Sequence, residues 1–253
     1  MKVHGEKVPQ FLLKAQKLDT YMITELEAQE IAYVPARSSE EKNATVIFIH
    51  GLGHSNLTWK EVVTEALAPR LPNVEWILPQ APHRPVSLNQ GTLRPSWFDI
   101  TNLPPHQDEW DENTILESIT RIENIILREV HSGVESSRII LVGFSQGAAL
   151  SLMTALSTLQ ELGGVASLSG WVPSMARSSG MLIHVGGTMP VLWCHGTSDT
   201  EIPWSMGAEA VEYLKSGARR LTNVEFKTYD GLEHRICDEE LADLAAWLER
   251  ILK

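Results

Sequence analysis

Short apolar runs alternate along the chain with amphipathic stretches. ATVIFIH (44–50) is rich in β-branched residues and ends at glycine, which predicts a buried strand. Residues 57–68 follow Asn56, a suitable N-cap, and read as a helix. VEWILP (74–79) reads as the next strand. Residues 80–112 carry Pro, Gly and Asn throughout and read as mostly loop, a length that in a compact domain points to function. Over 113–130, Ile115, Ile119, Ile122, Ile126 and Val130 recur at three- and four-residue spacings, one apolar helix face. RIILVG (138–143) is a strand, followed by a helix from Gln146 to about Leu159. GVASLSG (164–170) and PVLWCHG (190–196) are further strands. A helix near 205–216, a strand near 223–229 and a helix over 238–252 complete the pattern, with Asp238 and Glu239 suiting the positive end of the last helix.

Strands alternating with helices predict an α/β fold whose mostly parallel sheet is covered on both faces. A further strand near 29–34 fits the same plan. The expected organisation is one domain over 29–253, preceded by an N-terminal extension over 1–28 that has little pattern. No repeat, low-complexity tract or dividing linker is visible.

Composition narrows the function. Of 253 residues, 43% are hydrophobic and 21% charged, as in an ordinary globular chain. A net charge of −11 argues against nucleic acid as a partner and against docking on anionic lipid through a polybasic patch, because both need clustered Lys and Arg. No run approaches the ~20 apolar residues of a membrane span, so membrane contact is expected to be transient at most. The N-terminus lacks an uninterrupted apolar segment of the secretory kind, and the two cysteines, Cys194 and Cys237, do not make a disulfide framework. A cytoplasmic location is the expectation.

The strongest chemical signal is Gly143-Phe144-Ser145-Gln146-Gly147, a G-x-S-x-G motif between a predicted strand and a predicted helix. That setting lifts a serine hydroxyl above the sheet edge beside the amide end of the helix. A serine hydroxyl needs a base. Of the histidines downstream, His195 sits within a strand end and is read as structural, and His184 lies in an irregular segment. His234 follows a strand just before the last helix, where a loop-borne base belongs. Asp199, in the HGTSD loop, stands between Ser145 and His234 in the order Ser, acid, His. Asp230 and Glu233 are rivals, but so near His234 in sequence that they are expected to face solvent or cap the turn. The oxyanion that develops in acyl transfer needs two donors. The backbone N–H of Gln146 and that of Leu52, in His50-Gly51-Leu52-Gly53, are the candidates. His50 and His54 have an H-x-x-x-H spacing, but they straddle a glycine turn without a third ligand, so no metal is expected. Trp97, Trp171, Trp204 and Met175 fall in loops or strand ends; most serve packing, and some are candidates for an apolar acyl channel.

These residues resemble a known family. HGLG (50–53), LPQAPHRPVSLN (78–89), SWFDI (96–100), RIILVGFSQGAALSL (138–152), LSGWVP (168–173), CHGTSD (194–199) and GLEH (231–234), in this order, are similar to the acyl-protein thioesterases of the phospholipase/carboxylesterase family of α/β-hydrolases. The resemblance implies an α/β-hydrolase fold, a triad at Ser145, Asp199 and His234, and oxyanion donors at Leu52 and Gln146. It further implies an acyl channel under residues 83–95 with Leu88 and Leu93 as lining candidates, and Trp171 near the nucleophile. It implies no cofactor, and S-acylated proteins or small or lipid acyl esters as substrates. Carboxylesterase or lysophospholipase action, or slow-turnover ligand binding, are the alternative readings. The chain departs from the family in His54, where aspartate is usual, and over 174–189.

Overall fold

The computed structural model describes residues 31–38, 42–106, 109–178, 187–216 and 221–253. The expectations for residues 1–28 and for His184 lie outside these residues. Among them run the strands β1 (Ile31–Val34), β2 (Ala44–Ile49), β3 (Val74–Pro79), β4 (His83–Val86), β5 (Thr92–Pro95), β6 (Ile139–Phe144), β7 (Gly164–Leu168), β8 (Val191–Gly196) and β9 (Val224–Tyr229). The helices are α1 (Asn56–Val62), α2 (Glu112–His131), α3 (Gln146–Ser157), α4 (Ser174–Ser178), α5 (Trp204–Lys215) and α6 (Asp238–Ile251).

Seven strands form one sheet in the order β1-β3-β2-β6-β7-β8-β9. β1 pairs antiparallel with β3, and every other pairing in this sheet is parallel. The residue period of two explains the layers. Ile47 and Ile49 of β2 face one core with α2, α3 and α5, where Ile115, Ile119, Ile122 and Ile126 supply the stripe read from the sequence. Val46 and Phe48 face the other core, with Trp59 of α1 and Leu244, Trp247 and Leu248 of α6. β2, β6, β7 and β8 are buried along their whole length, which is why they read as unbroken apolar runs.

Two readings change. Ser55, not Asn56, caps α1: its hydroxyl accepts the Thr58 N–H, and Asn56 is already helical. Residues 80–112 are not wholly loop, because β4 and β5 pair as an antiparallel hairpin with Val86 opposite Thr92. The turn places Gln90 and Gly91 at φ 56° and 76°. Apart from Val86, no residue of these two strands is fully buried, and Pro85 and Pro95 interrupt them, so no hydrophobic alternation announced the hairpin.

Candidate active site

β6 ends at Phe144 and α3 begins at Gln146, leaving Ser145 alone at the corner with φ 54° and ψ −119°. A non-glycine residue there costs about 1–3 kcal/mol, a strain that recurs at functional sites. The corner is held by the Ser145 N–H, which donates to Leu168 O at 2.9 Å on neighbouring β7. The flanking glycines are steric requirements. A Cβ on Gly143 would stand 2.2 Å from Gly147 O, and one on Gly147 would stand 2.1 Å from Ile49 O. Helix α3 therefore starts in backbone contact with β2, and the serine hydroxyl projects over the carboxyl ends of the strands, where open α/β sheets place their sites.

The turn after β9 brings His234 to this hydroxyl. His234 Nε2 lies 2.9 Å from Ser145 Oγ, and Nδ1 lies 2.7 Å from Asp199 Oδ2. With the proton on Nδ1, the ring donates to the carboxylate and accepts from the serine. Asp199, on the loop after β8, is buried. Its Oδ1 accepts the N–H groups of Glu201 at 3.0 Å and Ile202 at 2.9 Å. Burial alone would raise the Asp199 pKa. The His234 bond and charge, the Ile202 amide and His195 outweigh it, and the carboxyl is held below the usual carboxylate range. The Phe144 ring packs on His234 with centroids 4.9 Å apart.

His195 is fully buried as a strand-end residue. Its Nε2–H donates to Ile202 O at 2.7 Å and its Nδ1 accepts the Trp193 indole N–H at 3.3 Å. Burial pushes its pKa down, so it stands neutral behind Asp199. Of the rival acids, both exposed, Asp230 accepts from the Thr197 hydroxyl.

The loop after β2 is built around His50. Burial pushes this imidazole down to about 4. As a neutral ring it donates from Nδ1 to Gly51 O at 2.7 Å and accepts the Ala81 N–H at Nε2 at 3.0 Å. Leu52 follows, with the Gly53 N–H bound to Pro95 O at 2.8 Å on the hairpin. Gln146 is the first residue of α3, so its N–H has no intrahelical acceptor. The sequence did not reveal the use of its side chain. Oε1 accepts the Trp97 N–H at 3.0 Å and Nε2 donates to Phe98 O at 2.7 Å. The Trp97 indole in turn donates to His50 O at 2.8 Å. One buried amide thus ties the serine corner to the 96–98 segment and, through Trp97, to the His50 loop.

The other predicted residues separate. Leu88 packs partly against the core, and its N–H donates to Ile100 O. Leu93, on β5, is 62% exposed. Trp171 is buried edge-on to Phe98 at 6.2 Å. His54 lies flat on Phe144 at 5.7 Å and accepts the Trp59 indole N–H. Burial pushes its pKa down, and His234 nearby acts in the same direction. Among the described residues, no group of three or more His, Cys, Asp or Glu could hold a metal ion. Among those residues, too, no helix is long and apolar enough to cross a membrane.

The chain as a whole is similar to known proteins. A family model described as phospholipase/carboxylesterase matches residues 30–252. An acyl-protein thioesterase 1 of Cryptococcus neoformans var. neoformans serotype D is 40% identical over 226 residues, 85% of this chain and 94% of that protein. An acyl-protein thioesterase 1 of Yarrowia lipolytica is 39% identical over 221 residues, 87% of this chain and 96% of that protein. The crystal structure of Zea mays acyl-protein thioesterase 2 superposes with a TM-score of 0.76 at 30% identity, covering 88% of this chain and 99% of that one. That of Arabidopsis thaliana SOBER1 superposes with a TM-score of 0.76 at 35% identity, covering 83% of this chain and 99% of that one.

Proposed function

The chain belongs to the phospholipase/carboxylesterase family of α/β-hydrolases, and on that premise we propose that Ser145, His234 and Asp199 carry out serine hydrolysis of acyl thioesters on S-acylated proteins. The observation that carries the reading is the continuous line of hydrogen bonds from Ser145 Oγ through His234 to buried Asp199. Names of relatives similar over nearly their whole length supply the thioester class.

The chemistry follows from the geometry. Ser145 Oγ attacks the acyl carbonyl carbon as His234 Nε2 takes the hydroxyl proton, and Asp199 stabilises the imidazolium that forms. The carbonyl oxygen becomes an oxyanion, held by the N–H groups of Leu52 and Gln146. Collapse breaks the carbon–sulfur bond, and the departing cysteine sulfur takes the proton from His234. Water then attacks the acyl-serine ester, again giving a proton to His234, and the acyl group leaves as a carboxylic acid while Ser145 is restored. Leu88, Leu93 and Trp171 are proposed to contact the acyl chain. Free Cys194 and Cys237 fit a reducing compartment such as the cytoplasm.

The test is labelling with a fluorophosphonate probe and peptide mapping, on the wild type and Ser145→Ala, followed by turnover of matched thioester and oxyester substrates. Labelling at Ser145 that disappears in the variant, with turnover of an S-acylated peptide, is the expected result. Folded wild type that takes no label would refute the triad. Labelling with turnover confined to oxyesters would move the function to a carboxylesterase or lysophospholipase. Tight binding with very slow turnover would make it a ligand-binding protein.

A further inference from the structure

In the proposed reaction the leaving sulfur takes its proton from His234 Nε2, so whatever stands beside that nitrogen meets the part of the substrate that departs. Ser145 Oγ is one neighbour. A carboxylate is another: Glu201 Oε2 lies 3.9 Å from the same nitrogen. The backbone puts it there. The Glu201 N–H donates to Asp199 Oδ1 at 3.0 Å, so the side chain starts from the turn that holds the triad acid. From that turn it reaches outward, and 53% of it is exposed to solvent. Among the described residues, its one ion-pair contact is with His234, and its side chain makes no hydrogen bond within the fold.

His54, on the loop after β2, also feels the Glu201 charge, but it does not neutralise it. Its Nδ1 accepts the Trp59 indole N–H, and its ring lies flat on Phe144. Burial, with His234 adding to it, outweighs Glu201 and holds the His54 pKa below its ordinary value, so the ring is neutral at pH 7. Glu201 is therefore a carboxylate at the mouth of the site, beside the reacting nitrogen, with no cationic side chain of this protein paired to it.

We propose that Glu201 is a specificity-determining residue for the leaving group: it favours S-acylated cysteines with a lysine or arginine beside them in sequence, and disfavours those flanked by aspartate or glutamate. The reach is sufficient. The departing sulfur must come within hydrogen-bonding distance of His234 Nε2, and the Cα of the next residue follows about 3.8 Å from that of the cysteine. A charge on that residue then falls within about one screening length of Glu201, roughly 8 Å at physiological salt. The flexible four-carbon stem of a lysine lets its ammonium close the remaining distance. The net charge of −11 adds a background of the same sign, which steers cationic substrates inward but does not single out the residue beside the cysteine. The proposal rests on the thioesterase reading and on His234 as the group that protonates the sulfur.

The experiment uses S-acylated peptides that carry the same acyl chain and differ only in the residues flanking the cysteine: lysine, alanine or glutamate. Their kcat/KM values are measured at pH 7 for wild type, Glu201→Gln, Glu201→Lys and Glu239→Gln, the last removing one exposed charge of α6. An exposed ion pair contributes up to about fivefold, and a like-charge pair opposes by a similar factor. Wild type should therefore prefer the lysine peptide to the glutamate peptide by about tenfold. Glu201→Gln should lower that ratio at least about threefold and Glu201→Lys should lower it further, with the alanine peptide within about threefold of wild type in Glu201→Gln. Glu239→Gln should leave the ratio within about 1.5-fold of wild type, and raising the salt about tenfold should shrink the wild-type ratio. Because the ratio is taken within each variant, a loss of folded protein cancels from it. Three results would each overturn the proposal: a wild-type ratio near one, a rate that falls equally for all the peptides in Glu201→Gln, or a ratio that Glu239→Gln changes as much as Glu201→Gln does. The second would mean that Glu201 acts on His234 and not on the substrate, and the third that overall charge sets the preference. A failure of the triad reading registers separately, as turnover of every peptide that survives Ser145→Ala, while the ratio still reports on Glu201.

Discussion

Replacing Asp199 by asparagine tests the orientation of the base with almost no change of volume. Asp199 accepts three hydrogen bonds: the Glu201 and Ile202 amides at Oδ1, and His234 Nδ1–H at Oδ2. In Asp199→Asn the two backbone donors hold the amide oxygen where Oδ1 was, so the amide NH2 takes the place of Oδ2. Two donors cannot face each other, and His234 must turn its lone pair at Nδ1 toward the amide. Its proton moves to Nε2, 2.9 Å from Ser145 Oγ, and the ring can no longer accept the serine proton. The wrong tautomer of a triad histidine costs about 10⁴-fold in kcat, which is about 5.5 kcal/mol of transition-state stabilisation. The fold should persist, because the turn keeps both amide bonds. Asp199→Ala differs in kind. It leaves the buried Ile202 N–H without an acceptor, at about 1–3 kcal/mol, releases the part-buried Glu201 N–H as well, and should lower the melting temperature. The assay is steady-state thioester hydrolysis beside a thermal melt of both variants. Folded Asp199→Asn that keeps kcat within about tenfold of wild type would refute the reasoning, since no arrangement of an amide at this position supports the required tautomer.

Other outcomes follow from the same contacts. Gly147→Ala should destabilise the protein despite the ~0.5–1 kcal/mol that alanine ordinarily contributes in a helix, because its Cβ would lie 2.1 Å from Ile49 O and 2.5 Å from His50 O. A melting temperature at or above wild type would count against the packing described at the serine corner. Gln146→Ala leaves the buried Trp97 N–H without its side-chain acceptor, while Phe98 O keeps the Ser96 hydroxyl, and should cost about 1–3 kcal/mol in a denaturant titration. The depressed carboxyl of Asp199 contributes stability that is present above the ordinary aspartate range and lost as pH falls through its folded value. The melting temperatures of wild type and Asp199→Asn should therefore converge in acid, and a gap that stays constant would contradict that sign. Cys194 is fully buried, and burial pushes its thiol pKa up, so thiol reagents should label Cys237 in the folded protein and spare Cys194 until it unfolds.

Where burial and periodicity coincide, the chain already stated its own structure. The isoleucines of α2 at helical spacing, and β2, β6, β7 and β8 as unbroken apolar runs, could only satisfy their backbones and hide their side chains as a helix against a covered parallel sheet. The candidate triad was legible for a related reason. Each member follows a strand, and parallel strands put the residues that follow them at one edge, so Ser145, Asp199 and His234 needed only the right order to be named. Contacts that depend on distance rather than order stayed hidden. The β4–β5 hairpin lacks a buried alternating face, so its pairing shows only once Gly53 and Pro95 are brought together. Gln146 sits inside a recognisable motif, yet its side chain binds residues 48 and 49 positions away. Glu240 looks like an ordinary acidic residue in the first turn of a helix, and its sequence neighbours Asp238 and Glu239 are exposed. Only the packing of α6 against the sheet removes its water. Local pattern depends on neighbours a few residues away and can be read along the chain; desolvation depends on everything that surrounds a group, and that is decided only when the chain closes on itself.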